Sequence, residues 1–136
     1  MPYDLRWHDE EKTIFWVDIF SPVSWGEWHA TLDALVEMLE SADHRIDIIF
    51  NNTAGMPPGN PLPHFKTSMV KLGAAPNLKV MVIVSNRAVS TFIKSLINLV
   101  IRAMPITWNP TTEFAMTGDE ALKIIANDRT KQDIAA

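Results

Sequence analysis

The chain has 136 residues, of which 47% are hydrophobic and 21% charged; these are the proportions of one globular domain and exclude a mainly disordered chain. It contains no cysteine, so disulfide bonds, thiolate metal sites and a cysteine nucleophile are excluded. The formal net charge of −4 is unevenly distributed: residues 1–47 hold eleven acidic and three basic side chains, residues 48–112 hold six basic and no acidic ones, and residues 113–136 hold five acidic and three basic ones.

The first third of the chain is predicted to form a β-hairpin and a helix. A short strand at 3–8 and a strand at 13–20 that is rich in β-branched and aromatic residues flank a polar turn. Ser24 and Glu27 then form a capping box, in which the serine oxygen accepts a hydrogen bond from the third amide of the helix. Apolar residues recur at helical spacing after it, which extends the predicted helix to residue 41.

The remaining segments alternate between strand and helix patterns. They predict a strand at 46–50, a Pro- and Gly-rich loop at 55–63, a helix at 63–72, a strand at 80–84, a helix at 88–104, a strand at 106–108 and a helix at 117–128. Strands that alternate with helices need right-handed crossovers, which give a mostly parallel sheet. We therefore expect an α/β fold with a small mixed, mostly parallel sheet of four or five strands flanked by helices. It forms a single domain over residues 1–128, followed by a flexible tail at 129–136.

Several function classes lack their sequence signatures. The chain has no dinucleotide-binding or phosphate-binding glycine motif and no serine-hydrolase elbow, and no nucleophile–base pair can be assembled, so neither an enzyme nor a cofactor is expected. With a sequence pI of 5.5 and no basic cluster, nucleic-acid binding is not expected. The N-terminus lacks a signal peptide and no stretch is apolar enough to span a membrane, which predicts a cytoplasmic protein that is not integral to a membrane. No metal site is expected, because the histidines lack ligand spacing: His8, His29, His44 and His64.

Polar residues collect where the predicted strands end. Ligands of open α/β sheets bind in the crevice outside the carboxyl ends of the strands, so these residues are candidate ligand-binding residues. Arg87, beside a helix start, suits an anion. Ordinary turn and helix-capping chemistry is the alternative interpretation. The candidates are Asn51, Asn52, Thr53, Ser85, Asn86 and Arg87.

One charge, that of Asp18, falls inside an apolar predicted strand. We interpret it as an edge-strand residue that faces solvent, with a catalytic carboxylate as the alternative.

The predicted helix at 88–104 has an apolar arc of roughly 220°, wider than contact with one sheet requires. Three interpretations remain for what buries the rest of this apolar arc: a neighbouring helix of the same domain, a second subunit in a homodimer, or a membrane surface or lipid-like ligand. Lys94 and Arg102 lie on its polar arc, and Lys66 and Lys71 lie on the preceding helix. These four cations form a candidate interaction surface.

Four segments together carry a family resemblance. They are the hairpin at 3–20 leading into a helix with two tryptophans, the strand at 45–51, the strand at 79–84 before a helix, and the ending at 114–125, where a phenylalanine and a short gap precede an acid-Glu-Ala-Leu helix start. In these the chain resembles the SpoIIAA-like group, relatives of the bacterial STAS (anti-sigma-factor antagonist) domains. The resemblance implies a small mixed sheet flanked by helices. It also implies a non-enzymatic regulatory domain that works through protein–protein contact, with a protein partner that is unknown.

The resemblance also implies a phosphorylation switch in the family's Asp-Ser-Ser-Gly motif. The segment from Asn52 to Gly55 is loosely similar to it, which makes Thr53 the candidate phosphoacceptor. It departs from the motif because asparagine replaces the aspartate and because it directly follows a strand. The alternative function is a carrier or sensor of a small anionic or lipid-like ligand at the carboxyl-terminal edge of the sheet.

Overall fold

The computed structural model describes residues 3–19 and 24–135. Within these ranges the elements follow the order that the sequence predicts, two strands and then helices alternating with strands. Phe20, the last residue of the predicted second strand, lies outside the described residues. The elements are β1 (Tyr3–Trp7), β2 (Ile14–Ile19), α1 (Trp25–Glu40), β3 (Ile46–Asn52), α2 (Leu62–Gly73), β4 (Leu78–Val84), α3 (Arg87–Ala103), β5 (Thr111–Ala115) and α4 (Gly118–Ala135).

The five strands form one mixed sheet in the order β1-β2-β3-β4-β5. β1 pairs antiparallel with β2, and β2 to β5 run parallel. Each right-handed crossover advances by one strand in the same direction, which places α1, α2 and α3 on one face of the sheet. α4 covers the other face. The predicted α/β fold with a small mixed, mostly parallel sheet is confirmed.

The unbroken apolar run of β4 is explained by burial on both faces. Met81 and Ile83 pack in the core beneath α1, α2 and α3. Val80, Val82 and Val84 pack in the second core beneath α4. A strand covered on both sides has no need of polar alternation, which is why this segment reads as continuous hydrophobic sequence.

Side chains cap the first turns of α1 and α4, and the cap predicted at Ser24 and Glu27 is confirmed. Ser24 Oγ accepts from Glu27 N at 3.1 Å, and Glu27 Oε1 accepts from Ser24 N at 3.1 Å, so this capping box is complete. Thr117 Oγ1 accepts from Glu120 N at 3.1 Å, whereas the Glu120 carboxylate reaches the amide of Met116. These bonds satisfy amides that the first turn of each helix leaves without partners.

The strand predicted at residues 106–108 is wrong, because the last strand lies at Thr111–Ala115. It is β5, which pairs in parallel with β4 from Val80 and Thr111 to Val84 and Ala115. The tryptophan of the predicted strand, Trp108, instead packs against α2, where a Cβ on Gly73 would lie 3.1 Å from its ring. Trp108 thus covers the end of α2, and the backbone of its segment does not pair with β4.

α4 extends past Asp128, where the sequence analysis predicts a flexible tail, and ends at Ala135. Arg129, the first residue of that predicted tail, donates from Nε to Asp47 Oδ2 at 2.9 Å and from Nη2 to the Thr13 carbonyl at 3.0 Å. The predicted boundary at residue 128 is therefore not the end of the helix. The start of the predicted tail is held to the sheet by an ion pair.

Candidate functional site

The first three predicted ligand-binding residues do not share a site. Asn51 points to the α4 face of the sheet, where its Nδ2 donates to Asp18 Oδ1 at 2.8 Å. Asn52 lies on the opposite face, and its side chain bonds to the backbone of residues 54 and 55 at 3.0 to 3.1 Å. Thr53 is exposed, and its Oγ1 donates to the Ile19 carbonyl at 3.1 Å.

The three candidates after β4 surround the start of α3. Ser85 is buried, and its Oγ lies 2.6 Å from Ser90 Oγ. Asn86 caps the helix by accepting from Val89 N at 2.9 Å. Arg87 is exposed at the first position of the helix. Helix capping accounts for Asn86, a hydrogen bond to Ser90 engages Ser85, and an anion at Arg87 stays a prediction.

Asp18 lies in β2, which is flanked by β1 and β3 and is not an edge strand. Its carboxylate accepts from Arg6, from Trp16 Nε1 at 2.8 Å and from Asn51. Burial alone would raise the pKa of Asp18, but these hydrogen bonds and the positive charge of Arg6 outweigh it and lower the pKa. The carboxylate is thus ionised, and its hydrogen bonds to Arg6, Trp16 and Asn51 favour a structural role.

Of the four cations in the predicted interaction surface, three are exposed and one is paired. Lys71 Nζ lies 2.8 Å from Asp33 Oδ1 of α1. Lys66, Lys94 and Arg102 are exposed. Lys71 thus links two helices of its own chain, although its side chain remains 40% exposed, and the interaction surface stays a prediction.

α3 buries only part of its wide apolar arc. Phe92, Leu99 and Ile101 keep between 42% and 47% of their surface exposed. The α-helical face that is buried consists of Ile93, Leu96, Ile97 and Val100. Within the described residues, cover by a neighbouring helix of the same domain is therefore incomplete. No described helix is long and apolar enough to cross a membrane.

An apolar pocket of about 110 Å³, partly open to solvent, lies between the sheet and α1, α2 and α3. Its floor comes from the carboxyl-terminal halves of β2, β3 and β4: Ile19, Phe50, Asn52, Met81 and Ile83. Its walls include side chains of all three helices: Trp25, Trp28, Phe65, Met69, Ile93 and Ile97. The pocket thus lies on the face of the sheet near the carboxyl ends of β2, β3 and β4, and α3 forms one of its walls.

The described residues that line this pocket include no Asp, Glu, Lys, Arg or His. Burial and the nearby charge of Glu27 raise the pKa of Tyr3, which lines the pocket, to about 12, so its hydroxyl stays neutral. Ser68 Oγ accepts from Trp28 Nε1 at 2.8 Å and lies 2.7 Å from the His64 carbonyl, to which it donates. The pocket is therefore uncharged, and its serine is engaged in fixed hydrogen bonds.

The loop at residues 53–61 contributes Met56 and Pro57 to the pocket. Asn52 fixes the start of this loop, since its side chain accepts from two loop amides and donates to the Gly55 carbonyl. Gly55 has φ +89°, a left-handed conformation that glycine adopts without strain. The function of Asn52 is thus to shape the loop that borders the pocket.

A pair of histidines lies behind one wall of the pocket. His29 Nε2 of α1 and His64 Nδ1 of α2 are 2.8 Å apart, and the Trp25 ring stacks on His64 with a centroid distance of 4.4 Å. These two histidines lie 35 residues apart in the sequence, and their spacing does not indicate a pair. Only the packing of α1 on α2 brings them together. No group of three or more potential metal ligands occurs among the described residues.

Comparison with known proteins gives no match to this chain among protein-family models, curated proteins or solved structures.

Proposed function

We propose that this chain is a non-enzymatic domain that binds a small, uncharged, largely apolar molecule in the apolar pocket. The observation that carries the proposal is the pocket itself, which lies at the carboxyl ends of three strands and beneath α3. It develops the alternative of a carrier or sensor of a lipid-like ligand. The anionic version of that alternative has less support, since none of the described residues that line the pocket is cationic.

The size and lining of the pocket define the ligand further. An apolar cavity of about 150 Å³ is large enough to bind benzene, so the enclosed part of this pocket suits one ring or a short alkyl group. The pocket is partly open, which allows a ligand to extend outward. Three methionines, Met56, Met69 and Met81, line it, and their flexible side chains adapt to ligand shape.

Titration with ethylbenzene, followed by the methyl NMR signals of the methionines, tests this proposal. We expect the signals of Met56, Met69 and Met81 to shift in a saturable way. The signal of Met116, which is 62% exposed and does not line the pocket, should stay in place. No saturable shift at the three pocket methionines would refute the proposal.

A matched pair of variants on α3 locates the binding. Ile97→Phe adds volume to a side chain that lines the pocket, whereas Leu96→Phe makes a comparable change at a neighbouring buried residue that does not line it. We expect Ile97→Phe to weaken ethylbenzene binding at least about ten-fold, which is about 1.4 kcal/mol, and Leu96→Phe to change it little. Equal effects of the two variants would place the ligand elsewhere.

A second candidate function is the regulatory protein–protein contact that the resemblance to SpoIIAA-like proteins implies, and we propose α3 as its surface. Phe92 and Leu99 are seven residues apart, so they lie on the same side of the helix, and both are nearly half exposed. Exposed Lys94 and Arg102 lie on the same helix, and residues 48–112 contain no acidic side chain. These features favour a protein partner with an apolar centre and an acidic rim.

Cross-linking from position 92 identifies such a partner, and the purified partner then allows binding to be measured. We expect Phe92→Ser together with Leu99→Ser to weaken binding at least about ten-fold, while Met116→Ser, at an exposed residue outside α3, has no effect. Binding should also weaken as salt rises. Light scattering that shows self-association through these residues, or binding only to anionic vesicles, would refute this candidate.

Within this second candidate, Thr53 is the proposed phosphoacceptor. Thr53 is an exposed residue directly after β3, and a phosphate there adds a charge of about −1.5 to −2. We expect Thr53→Asp to weaken binding of the partner, with Thr53→Ser as the control. Unchanged binding by Thr53→Asp would remove this switch.

A further inference from the structure

One residue that lines the apolar pocket carries a polar side-chain atom with no hydrogen-bond partner among the described residues. Trp25 lines the pocket, and its Nε1 is buried from solvent and has no acceptor among the described residues. The other two tryptophans of the wall are satisfied: Trp28 Nε1 donates to Ser68 Oγ at 2.8 Å, and Trp108 Nε1 donates to Thr112 Oγ1 at 2.9 Å. Trp25 is thus the exception among three similar donors.

The position of this donor is fixed by packing on its ring. The Trp25 ring stacks on His64 with an interplanar angle of 9° and meets Phe65 edge-on at 6.3 Å. The loop residue Gly59 lies near the indole, since a Cβ atom added to Gly59 would be 3.9 Å from Trp25 Nε1. A donor that is held in place and shielded from water carries a desolvation cost that an acceptor would remove.

We propose that Trp25 Nε1 donates a hydrogen bond to the ligand of the apolar pocket, and that this ligand carries an uncharged acceptor, such as a carbonyl or ether oxygen, on an apolar body. This inference rests on the proposed function and adds its polar recognition element. The acceptor is uncharged because the part of the pocket lining that the structure describes holds no cation, so an ionised carboxylate would lose its hydration without gaining a counter-charge.

Three probes of similar shape separate these contributions: acetophenone has a neutral acceptor, ethylbenzene has none, and benzoate is charged. Their dissociation constants are to be measured for the wild-type chain, Trp25→Phe and Trp28→Phe. The last variant is the matched control, because it makes the same change in another pocket tryptophan whose Nε1 already has a partner.

We expect the preference for acetophenone over ethylbenzene to fall about five-fold in Trp25→Phe, the effect of one net hydrogen bond, and to change less than about two-fold in Trp28→Phe. Benzoate should bind at least about ten-fold more weakly than acetophenone. An undiminished preference in Trp25→Phe, or benzoate binding as tight as acetophenone binding, would overturn the inference.

A measurement on the wild-type chain covers the case in which Trp25→Phe does not fold. Acetophenone should shift the indole N–H signal of Trp25 downfield, whereas ethylbenzene should not, and equal responses to both would overturn the inference. Failure of the proposed function looks different: ethylbenzene itself would then produce no saturable shift of the pocket methionines.

Discussion

Replacement of Asp47 by alanine is expected to be strongly destabilising. The Asp47 side chain is fully buried, and it accepts from the Val80 amide at 3.0 Å. It also pairs with two guanidinium groups: Arg45 Nε lies at 3.2 Å and Arg129 Nη2 at 2.8 Å. Alanine would leave both cations without this partner and the buried Val80 amide without an acceptor.

The magnitude follows from the burial of these groups. Breaking a buried ion pair by removing one partner costs about 3–5 kcal/mol. The two arginine side chains keep 24% and 31% of their surface exposed, which places the expected loss for Asp47→Ala near the lower limit, at about 3 kcal/mol. For a domain of this length that loss lowers Tm by roughly 10 °C. Asp47→Asn keeps an oxygen for the Val80 amide, so we expect it to lose about 2 kcal/mol.

Urea unfolding followed by circular dichroism measures these losses, provided that the m-value is unchanged. Asp128→Asn is the control, because it removes the second partner of Arg45 from a side chain that is 24% exposed. We expect it to cost about 1 kcal/mol or less. The reasoning would be refuted if Asp47→Ala lost less than about 1 kcal/mol, or if Asp128→Asn lost as much as Asp47→Ala.

Two further predictions concern a helix start and a pair of histidines. Gly118→Ala should lower the free energy of unfolding in urea by about 1–3 kcal/mol, because its Cβ would lie 2.6 Å from the Trp16 ring. The control Gly26→Ala, in an exposed and uncrowded helical position, should raise it by about 0.5–1 kcal/mol. An unchanged free energy of unfolding in Gly118→Ala would contradict the crowding. Burial first, and then the positive charge of neighbouring side chains, lower the pKa of His29, so the unfolded chain binds more protons than the folded chain just below the ordinary histidine pKa of about 6.5. Stability should therefore fall as pH drops through that window, and His29→Gln should flatten the fall; an equal slope in the variant would show that the His29–His64 contact does not cause it.

The elements that could be predicted from sequence are those with local signals. The capping box at Ser24 and Glu27 and the apolar run of β4 depend on neighbours in the chain, and both are confirmed. β5 was missed because its sequence, Thr-Thr-Glu-Phe-Ala, has only a short β-branched start, whereas the segment around Trp108 has stronger apolar character. The apolar character of that segment serves contact with Gly73 of α2, which no local pattern reveals.

The sequence indicated the edge of the sheet at which the pocket lies, but not the residues that line the pocket. The strand ends were expected to gather a polar ligand site, and the carboxyl ends of β2, β3 and β4 do border the pocket. The polar side chains there, however, form turns and caps, as Asn52 and Asn86 show. The side chains that form the pocket, such as Trp25 and Ile97, lie on separate helices, so only tertiary packing brings them together.

Trp28, His29 and Asp33 of α1 make directional bonds to α2, with Ser68, His64 and Lys71 respectively, each at 2.8 Å. Within the described ranges, no side-chain hydrogen bond joins α3 to either helix, and its contacts there are apolar. In the walls of the pocket, α1 and α2 are therefore joined by hydrogen bonds, whereas α3 is held against them by apolar contacts. Under the proposed function, α3 can move relative to α1 and α2 without breaking a side-chain hydrogen bond to them among the described residues, while the Ser85–Ser90 bond holds the start of α3. The pocket would then admit ligands of different girth.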